Sequence, residues 1–218
     1  RRWGRAMIRV VGIGAGGHAK VVIDILRLMG GYEIVGLVDA DKSLWESEVA
    51  GVRVIGGDDR LPQLYDQGIR EAFIGIGSVG NPGVRVGIYE NARKLGFRIV
   101  SAIHPNAVIS TSAQIGEGAT VMAGTVINHS ARLGENVIVN TSAVVEHDCV
   151  IGNHAHISVN ATLAGAVEVG ERVHVGAGAI VKQRIKVGPR AIIAMGAIVV
   201  NDVEAGATVQ GTPAVRVD

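Results

Sequence analysis

Three titratable side chains stand in a row at Glu146, His147 and Asp148, inside the otherwise small and β-branched run NTSAVVEHDCVIG of residues 140–152. A histidine beside a carboxylate is the least equipment for general-base chemistry. Imidazole titrates near neutrality, and an acceptor on one ring nitrogen fixes the tautomer of the other. The same triplet on a solvated polar face would do no chemistry. A second constellation lies near the other end of the chain. Gly12, Gly14 and Gly17 spell G-x-G-x-x-G, and Asp39 follows Gly17 by 22 residues. Such glycines admit a phosphate close to the backbone at a helix N-terminus, and the acid takes a ribose hydroxyl. Three readings are open: the dinucleotide site of a dehydrogenase, a site for a nucleoside diphosphate joined to something else, and a turn that merely packs helix on strand. His18, in the first turn of the following helix, is either a phosphate or sugar contact or a surface histidine.

The elements around the glycines are short. IRVVGIG (8–14) reads as a strand, GGHAKVVIDILRLMG (16–30) as a helix and YEIVGLVD (32–39) as a second strand. RLPQLYDQG is a short helical piece, EAFIGIG (71–77) a third strand and RVGIYENARKLG (85–96) a second clear helix. This alternation predicts a small Rossmann-like α/β domain over residues 1–100, with three or four parallel strands and helices on its faces. It amounts to one mononucleotide-binding half, too small for a full dinucleotide fold, and so favours a nucleoside diphosphate.

From Ile103 to Val199 one aliphatic residue recurs every six positions without a slip, 17 times in all. A small or β-branched residue sits four places after each, as at Ala107, Ala113 and Thr125, and glycine often follows directly, as at Gly116, Gly134 and Gly152. Self-similarity at six residues marks a parallel β-helix of hexapeptide type, in which each rung buries its aliphatic against the next. Residues 101–218 form this second domain. Val145 points inward in the six-residue register. Glu146 and His147 then lie on the surface side of the rung, Asp148 near the turn and Cys149 at the small inward position. The three titratable residues decorate an outer edge and need not enter the core.

The totals narrow the function classes. Aromatic residues are 3% of the chain against 48% hydrophobic, so aliphatics must build the core. A net charge of +1 suggests neither nucleic acid nor an acidic membrane surface. No apolar run reaches the roughly 18 residues of a membrane helix, so no membrane insertion is expected. Cys149 is the single cysteine, which allows no intrachain disulfide, fits a reducing cytoplasm and reads as core filler. The histidines lack the spacing of a tetrahedral zinc site, so no metal is expected. RRWGRAM is followed by a strand and a glycine loop, unlike a signal peptide. Residues 1–6 read as an addition ahead of a start at Met7, or as an upstream start.

GAGGHAKVV (14–22), HPNAVIS (104–110) and NTSAVVEHDCVIG together resemble the hexapeptide-repeat sugar acyltransferases. The resemblance runs over nearly the whole chain from Met7. It is strongest to the N-acetyltransferases of UDP-4-amino sugars (bacillosamine) and of GDP-perosamine, with the sialic acid O-acetyltransferases in the same broader group. It implies a left-handed prism with three hexads per coil, so that residues 18 apart stack about 4.8 Å apart. It implies acetyl-CoA as cosubstrate, a nucleotide-linked amino sugar as acceptor, a homotrimer and direct transfer without an acetyl-enzyme. By the same resemblance His147 is the general base, Asp148 or Glu146 the carboxylate that orients it, and Asn140 a lining residue of that pocket. His156 is placed near the acetyl or thiol end of CoA, and Ala177 and Met195 along its pantetheine arm. Gly165, stacked 18 residues after His147, offers an amide to the thioester oxyanion. Lys182, Arg184, Lys186 and Arg190 could meet the CoA phosphates. Gly14, Gly16, Gly17 and His18 would hold the nucleotide sugar, with Asp39 near its base or ribose. The two adjacent acids that the bacillosamine enzymes carry after the second strand are here Asp39-Ala40-Asp41, which leaves uracil and guanine both open. An O-acetyltransferase acting on sialic acid or another sugar, and a non-catalytic nucleotide-sugar scaffold, are the alternatives.

Overall fold

A computed structural model describes residues 7–218; the reading of residues 1–6 lies outside the described residues. The chain divides into two units: residues 7–77 with 83–105, and residues 78–82 with 106–218. The division thus falls at Pro105, a few residues beyond the expected boundary near 100. It also assigns the short segment Ser78–Pro82 to the second unit.

In the first unit the strands β1 (Ile8–Ile13), β2 (Tyr32–Val38), β3 (Glu48–Val49), β4 (Val52–Gly56), β5 (Glu71–Ile74) and β6 (Arg98–Ile99) form one sheet. Its order is β3-β4-β2-β1-β5-β6, with six strands where the sequence pattern predicts three or four. The extra pair is a two-residue strand, β3, hairpinned antiparallel onto β4 at the sheet edge. It is too short to show a period. The helices are α1 (Gly17–Met29), α2 (Leu61–Asp66) and α3 (Gly83–Lys94). Helix α1 buries Ala19, Val22, Ile23, Ile25 and Leu26, the stripe expected of an amphipathic helix on a sheet. It ends at Gly30, whose φ of 69° lets its N–H close on the Leu26 carbonyl.

In the second unit the strands from Val108–Ile109 to Ile198–Val199 are two residues long, and the second of each is an aliphatic of the six-residue series. They stack into three parallel sheets, as in a left-handed β-helix, and the rungs pair with the residue 18 positions on, Val121 with Val139 and Val145 with Leu163, until the last coil, where Ile193 pairs with Val209, 16 on. The first face runs through Thr120–Val121, Ile138–Val139, His156–Ile157, His174–Val175 and Ile192–Ile193. The second runs through Val126–Ile127, Val144–Val145, Thr162–Leu163 and Ile180–Val181, and the third through Arg132–Leu133, Val150–Ile151, Glu168–Val169 and Lys186–Val187. The interior is aliphatic and tight: Val145, Ala161, Leu163 and Ala179 are all fully buried. Leu163→Ala in such a core costs about 2–5 kcal/mol.

Two different constraints act at the corners. The glycine after the aliphatic is required by close approach, because a Cβ on Gly152 or Gly170 would come within 2.5–2.6 Å of backbone in the next coil. The left-handed turn itself falls two residues later, at Ser130, Asn136, Ser142, Asp148, His154 and Asn160, with φ of 55–62°. Asp, Asn and His tolerate that region better than most side chains, which otherwise lose about 1–2 kcal/mol there.

Candidate functional site

The corner after Val144–Val145 carries the titratable triplet. Asp148 adopts φ 61° and with His147 makes the turn itself. The Asp148 amide donates to the His129 carbonyl one coil earlier, at 2.9 Å. This pins the corner and leaves both side chains outside, as the register requires. Asp148 Oδ2 lies 2.8 Å from His147 Nδ1. A carboxylate there accepts the Nδ1 proton and leaves Nε2 with a lone pair, the state of a general base. Glu146 is engaged elsewhere: its Oε2 accepts from Asn128 Nδ2 at 3.1 Å and from the His147 amide at 3.2 Å. Of the two candidate carboxylates, only Asp148 meets the ring.

Gly165 lies against the imidazole. A Cβ added to Gly165 would stand 2.6 Å from His147 Nε2 and 2.7 Å from Cε1, so the bare backbone leaves the room the ring occupies. The amides of Ala164 and Ala166 are spent on the carbonyls of Val181 and His147; among the described residues none accepts the Gly165 N–H. A lone pair and an amide donor thus share one corner. Cys149, next in sequence, is buried and donates to the Ala164 carbonyl at 3.2 Å, and burial pushes its thiol up. It is unsuited to act as a thiolate nucleophile.

The remaining candidates of the second unit gather elsewhere. Asn140, His156, Ala177 and Met195 line one mainly apolar cavity of about 340 Å³, together with Val79, Ser158 and His174. The Asn140 Oδ1 accepts from the Thr141 amide at 2.8 Å, which orients its Nδ2 toward His156 Nε2 at 3.3 Å. Nε2 must then be the acceptor, so Nδ1 carries the proton and donates to Ser78 Oγ at 3.3 Å. His156 is buried. Asn140 therefore belongs with His156, and no hydrogen bond joins it to His147. Ser78 and His174 escaped the sequence reading. His174 could have been found, since it stacks 18 residues after His156; Ser78 comes from a distant segment and left no signal.

In the first unit the glycines divide by task. A Cβ on Gly12 would strike Phe73 and Leu37, so that glycine serves packing. Gly14 turns the chain at φ 100°, while Gly16 and Gly17 face open space at the start of α1. Gly16 caps α1 without a side-chain hydrogen bond, and the N-terminal end of the helix carries the positive end of its dipole, where an anion is favoured. Asp39 holds this loop in place: Oδ2 accepts from the Ala15 amide at 2.7 Å and Oδ1 from the Asp41 amide at 2.8 Å. Each oxygen keeps a lone pair for a ribose or a base. Nearby Asp58 is pushed up by burial and then by the charges of Asp39 and Asp59. His18 Nε2 lies 3.5 Å from Nη1 of the buried Arg85, which also donates to the Ile76 carbonyl at 2.5 Å. Burial lowers the Arg85 guanidinium to about 9. Among the described residues no group of three acidic, histidine or cysteine side chains could hold a metal ion. No helix among the described residues is long and apolar enough to cross a membrane.

Comparison with known proteins adds relatives to this geometry. Residues 9–92 match the PglD N-terminal domain family. PerB from Caulobacter crescentus, solved in complex with CoA and GDP-perosamine, is 42% identical over 96% of this chain and 97% of its own, with a TM-score of 0.89. The acetyltransferase domain of PglB from Neisseria gonorrhoeae, solved with acetyl coenzyme A, is 37% identical over 97% of this chain and all of its own (100%), with a TM-score of 0.87. The UDP-N-acetylbacillosamine N-acetyltransferase of Bacillus subtilis is 35% identical over 117 residues, 54% of this chain. That match spans about half, 52%, of the curated relative's length.

Proposed function

The chain belongs to the hexapeptide-repeat N-acetyltransferases of nucleotide-linked amino sugars, and from that premise we propose that it moves the acetyl group of acetyl-CoA onto the amine of such a sugar. The observation that carries the reading is the His147–Asp148 pair, 2.8 Å apart on an open corner, with Nε2 beside an unspent backbone amide. The amine nitrogen attacks the thioester carbonyl and a C–N bond forms. Its proton passes to His147 Nε2, and Asp148 stabilises the imidazolium. The oxyanion is met by the Gly165 N–H. Collapse breaks the C–S bond, and the CoA sulfur leaves with the proton from His147. No group of the protein is acylated.

The cavity with His156, Ala177 and Met195 would receive the acyl donor's arm, and Lys182, Arg184, Lys186 and Arg190 its phosphates. The Gly14–His18 loop and Asp39 would hold the nucleotide. The prism supports a homotrimer. His147 sits at the corner between the second and third faces, whereas His156 and His174 lie on the first face, across the triangle. One prism cannot bring base and cavity together, but the corner of one copy can meet the face of the next. The outward column of the second face also supports a partner. It reads Val108, Val126, Val144, Thr162, Ile180 and Ile198, while the third face shows Gln114, Arg132, Val150, Glu168 and Lys186. A mostly apolar column, exposed at Val108 and Ile180 and half-buried between them, is a surface that a partner could cover. A nucleotide-linked amino sugar as acceptor supports a cytoplasmic role in the making of bacterial surface glycans.

The test is thiol release from acetyl-CoA with UDP-4-amino-6-deoxy sugar, GDP-perosamine and free sialic acid as acceptors. Release with a nucleotide-linked amine, lost in His147→Ala, supports the proposal. Release only with sialic acid would move the activity to O-acetylation.

A further inference from the structure

His129 is a titratable side chain that the proposed transfer does not use, and it is built like the base. Its rung, Val126–Ile127, pairs with Val144–Val145, so the corners that follow are stacked one coil apart, about 4.8 Å along the prism. The local geometry repeats with them. Ser130 and Asp148 take the left-handed turn at φ 59° and 61°. Each turns a side-chain oxygen back onto the ring before it: Ser130 Oγ lies 2.8 Å from His129 Nδ1, and Asp148 Oδ2 lies 2.8 Å from His147 Nδ1. The two corners are also tied together. Asn128 Oδ1 accepts from the His129 amide at 3.0 Å, and Asn128 Nδ2 donates at 3.1 Å to Glu146 Oε2, which also takes the His147 amide. With Nδ1 occupied in both rings, Nε2 is the nitrogen each has left. Among the described residues no hydrogen bond reaches it in either ring.

The two rings differ in the charge of their partners. The Asp148 carboxylate stabilises an imidazolium; the Ser130 hydroxyl carries no charge, so His129 is poorly equipped to keep a proton drawn from an amine. It is well equipped for a neutral hydrogen bond. A serine hydroxyl rotates to donate or to accept, so His129 can present Nε2 as an acceptor or as an N–H, which matches a sugar hydroxyl that does both. The side of approach is set by the donor. Gly165, Ala177 and Met195, read as its contacts, belong to coils that follow His147, which leaves the coil of His129 to the acceptor. We propose that His129 Nε2 hydrogen-bonds the ring hydroxyl next to the reacting amine, holds that amine at His147 Nε2, and so makes the neighbouring hydroxyl a requirement for an efficient acceptor. The proposal rests on the acetyl-transfer reading above.

The experiment uses the full chain and thiol release from acetyl-CoA. The acceptors are GDP-perosamine or the UDP-4-amino-6-deoxy sugar, whichever is turned over, and its analogue with hydrogen in place of the hydroxyl next to the amine. His129→Phe keeps a ring at the exposed corner and removes both nitrogens, and His129→Gln restores a polar end. The expected result is a kcat/KM for the parent acceptor lower by about 10-fold in His129→Phe, largely recovered in His129→Gln. Wild type should lose the same factor on the analogue, and there His129→Phe should cost nothing further, the non-additivity of two groups that touch. KM for acetyl-CoA and Tm should be unmoved. Undiminished kcat/KM in His129→Phe would overturn the inference. So would an equal loss on both acceptors, because it would mark His129 as a support of the His147 corner and not a contact of the sugar. Absence of thiol release by the wild type with every nucleotide-linked amine would sink the transfer reading itself, which separates the two failures.

Discussion

Replacing Gly165 by alanine should remove catalysis while leaving the fold intact. The new Cβ would stand 2.6 Å from His147 Nε2, 2.7 Å from Cε1 and 3.3 Å from Cδ2. Ordinary carbon contacts begin near 3.5 Å, so the ring must retreat by about 1 Å. It has somewhere to go, since the His147 side chain is 59% exposed. Moving outward, however, takes Nδ1 off Asp148 Oδ2, now at 2.8 Å. A displacement of about 1 Å in a catalytic group costs roughly 10²-fold in rate. Loss of the general base altogether costs roughly 10²- to 10⁴-fold. The backbone gives no reason for instability, because Gly165 does not occupy the left-handed region that favours glycine. Removing a glycine also restricts the unfolded chain, which is worth about 0.4–1 kcal/mol where the conformation permits. The assay pairs a thermal melt with thiol release from acetyl-CoA. The expectation is an unchanged or slightly raised Tm and a kcat lower by about 10²-fold. A Gly165→Ala enzyme with wild-type kcat would refute the placement of the base. A large drop in Tm would refute the claim that only the ring must move.

Other perturbations separate the parts of the account. Asp148→Asn keeps an acceptor for Nδ1 but removes the charge facing the imidazolium; because both side chains are exposed, kcat should fall only about 10-fold, and a loss equal to that of His147→Ala would contradict so modest a role. Ile180→Glu places a charge in the apolar outward column, so if the proposed trimer forms through it, light scattering should show monomers in the variant and activity should vanish; a fully active monomer would contradict a site shared between copies. His174, held neutral by burial, binds protons more weakly folded than unfolded. Stability should therefore fall as pH drops below the unfolded value of about 6.5, and His174→Phe should flatten that part of a melt-against-pH series; an unaltered slope would count against it.

Much of the second unit was readable because its period is short and local. The aliphatics from Ile103 to Val199 are the inward residues of the strands, and stacking at 18 follows from three hexads per coil. The corner was harder. Glycine after the aliphatic looks like a turn signal, yet it answers to backbone of the next coil, while the left-handed turn falls on Asp148 or His154, residues that a sequence reading assigns to chemistry or surface. The choice between Glu146 and Asp148 depends on side-chain direction at that turn, which spacing alone does not give. Ser78 reaches His156 across 78 positions of sequence, a contact no local pattern announces. In the first unit the glycine loop was legible, but its division into Gly12 for packing, Gly14 for turning and Gly16 and Gly17 for open space required neighbours from β2 and β5.

The most direct measurement follows acetyl transfer itself: wild type and His147→Ala with acetyl-CoA and each nucleotide-linked amino sugar, reading thiol release and the mass of the sugar product. The account predicts one acetyl group added at the amine of one acceptor, with a rate lower by roughly 10²- to 10⁴-fold in the variant. Undiminished transfer by His147→Ala, or acetylation of a hydroxyl in place of the amine, would contradict it.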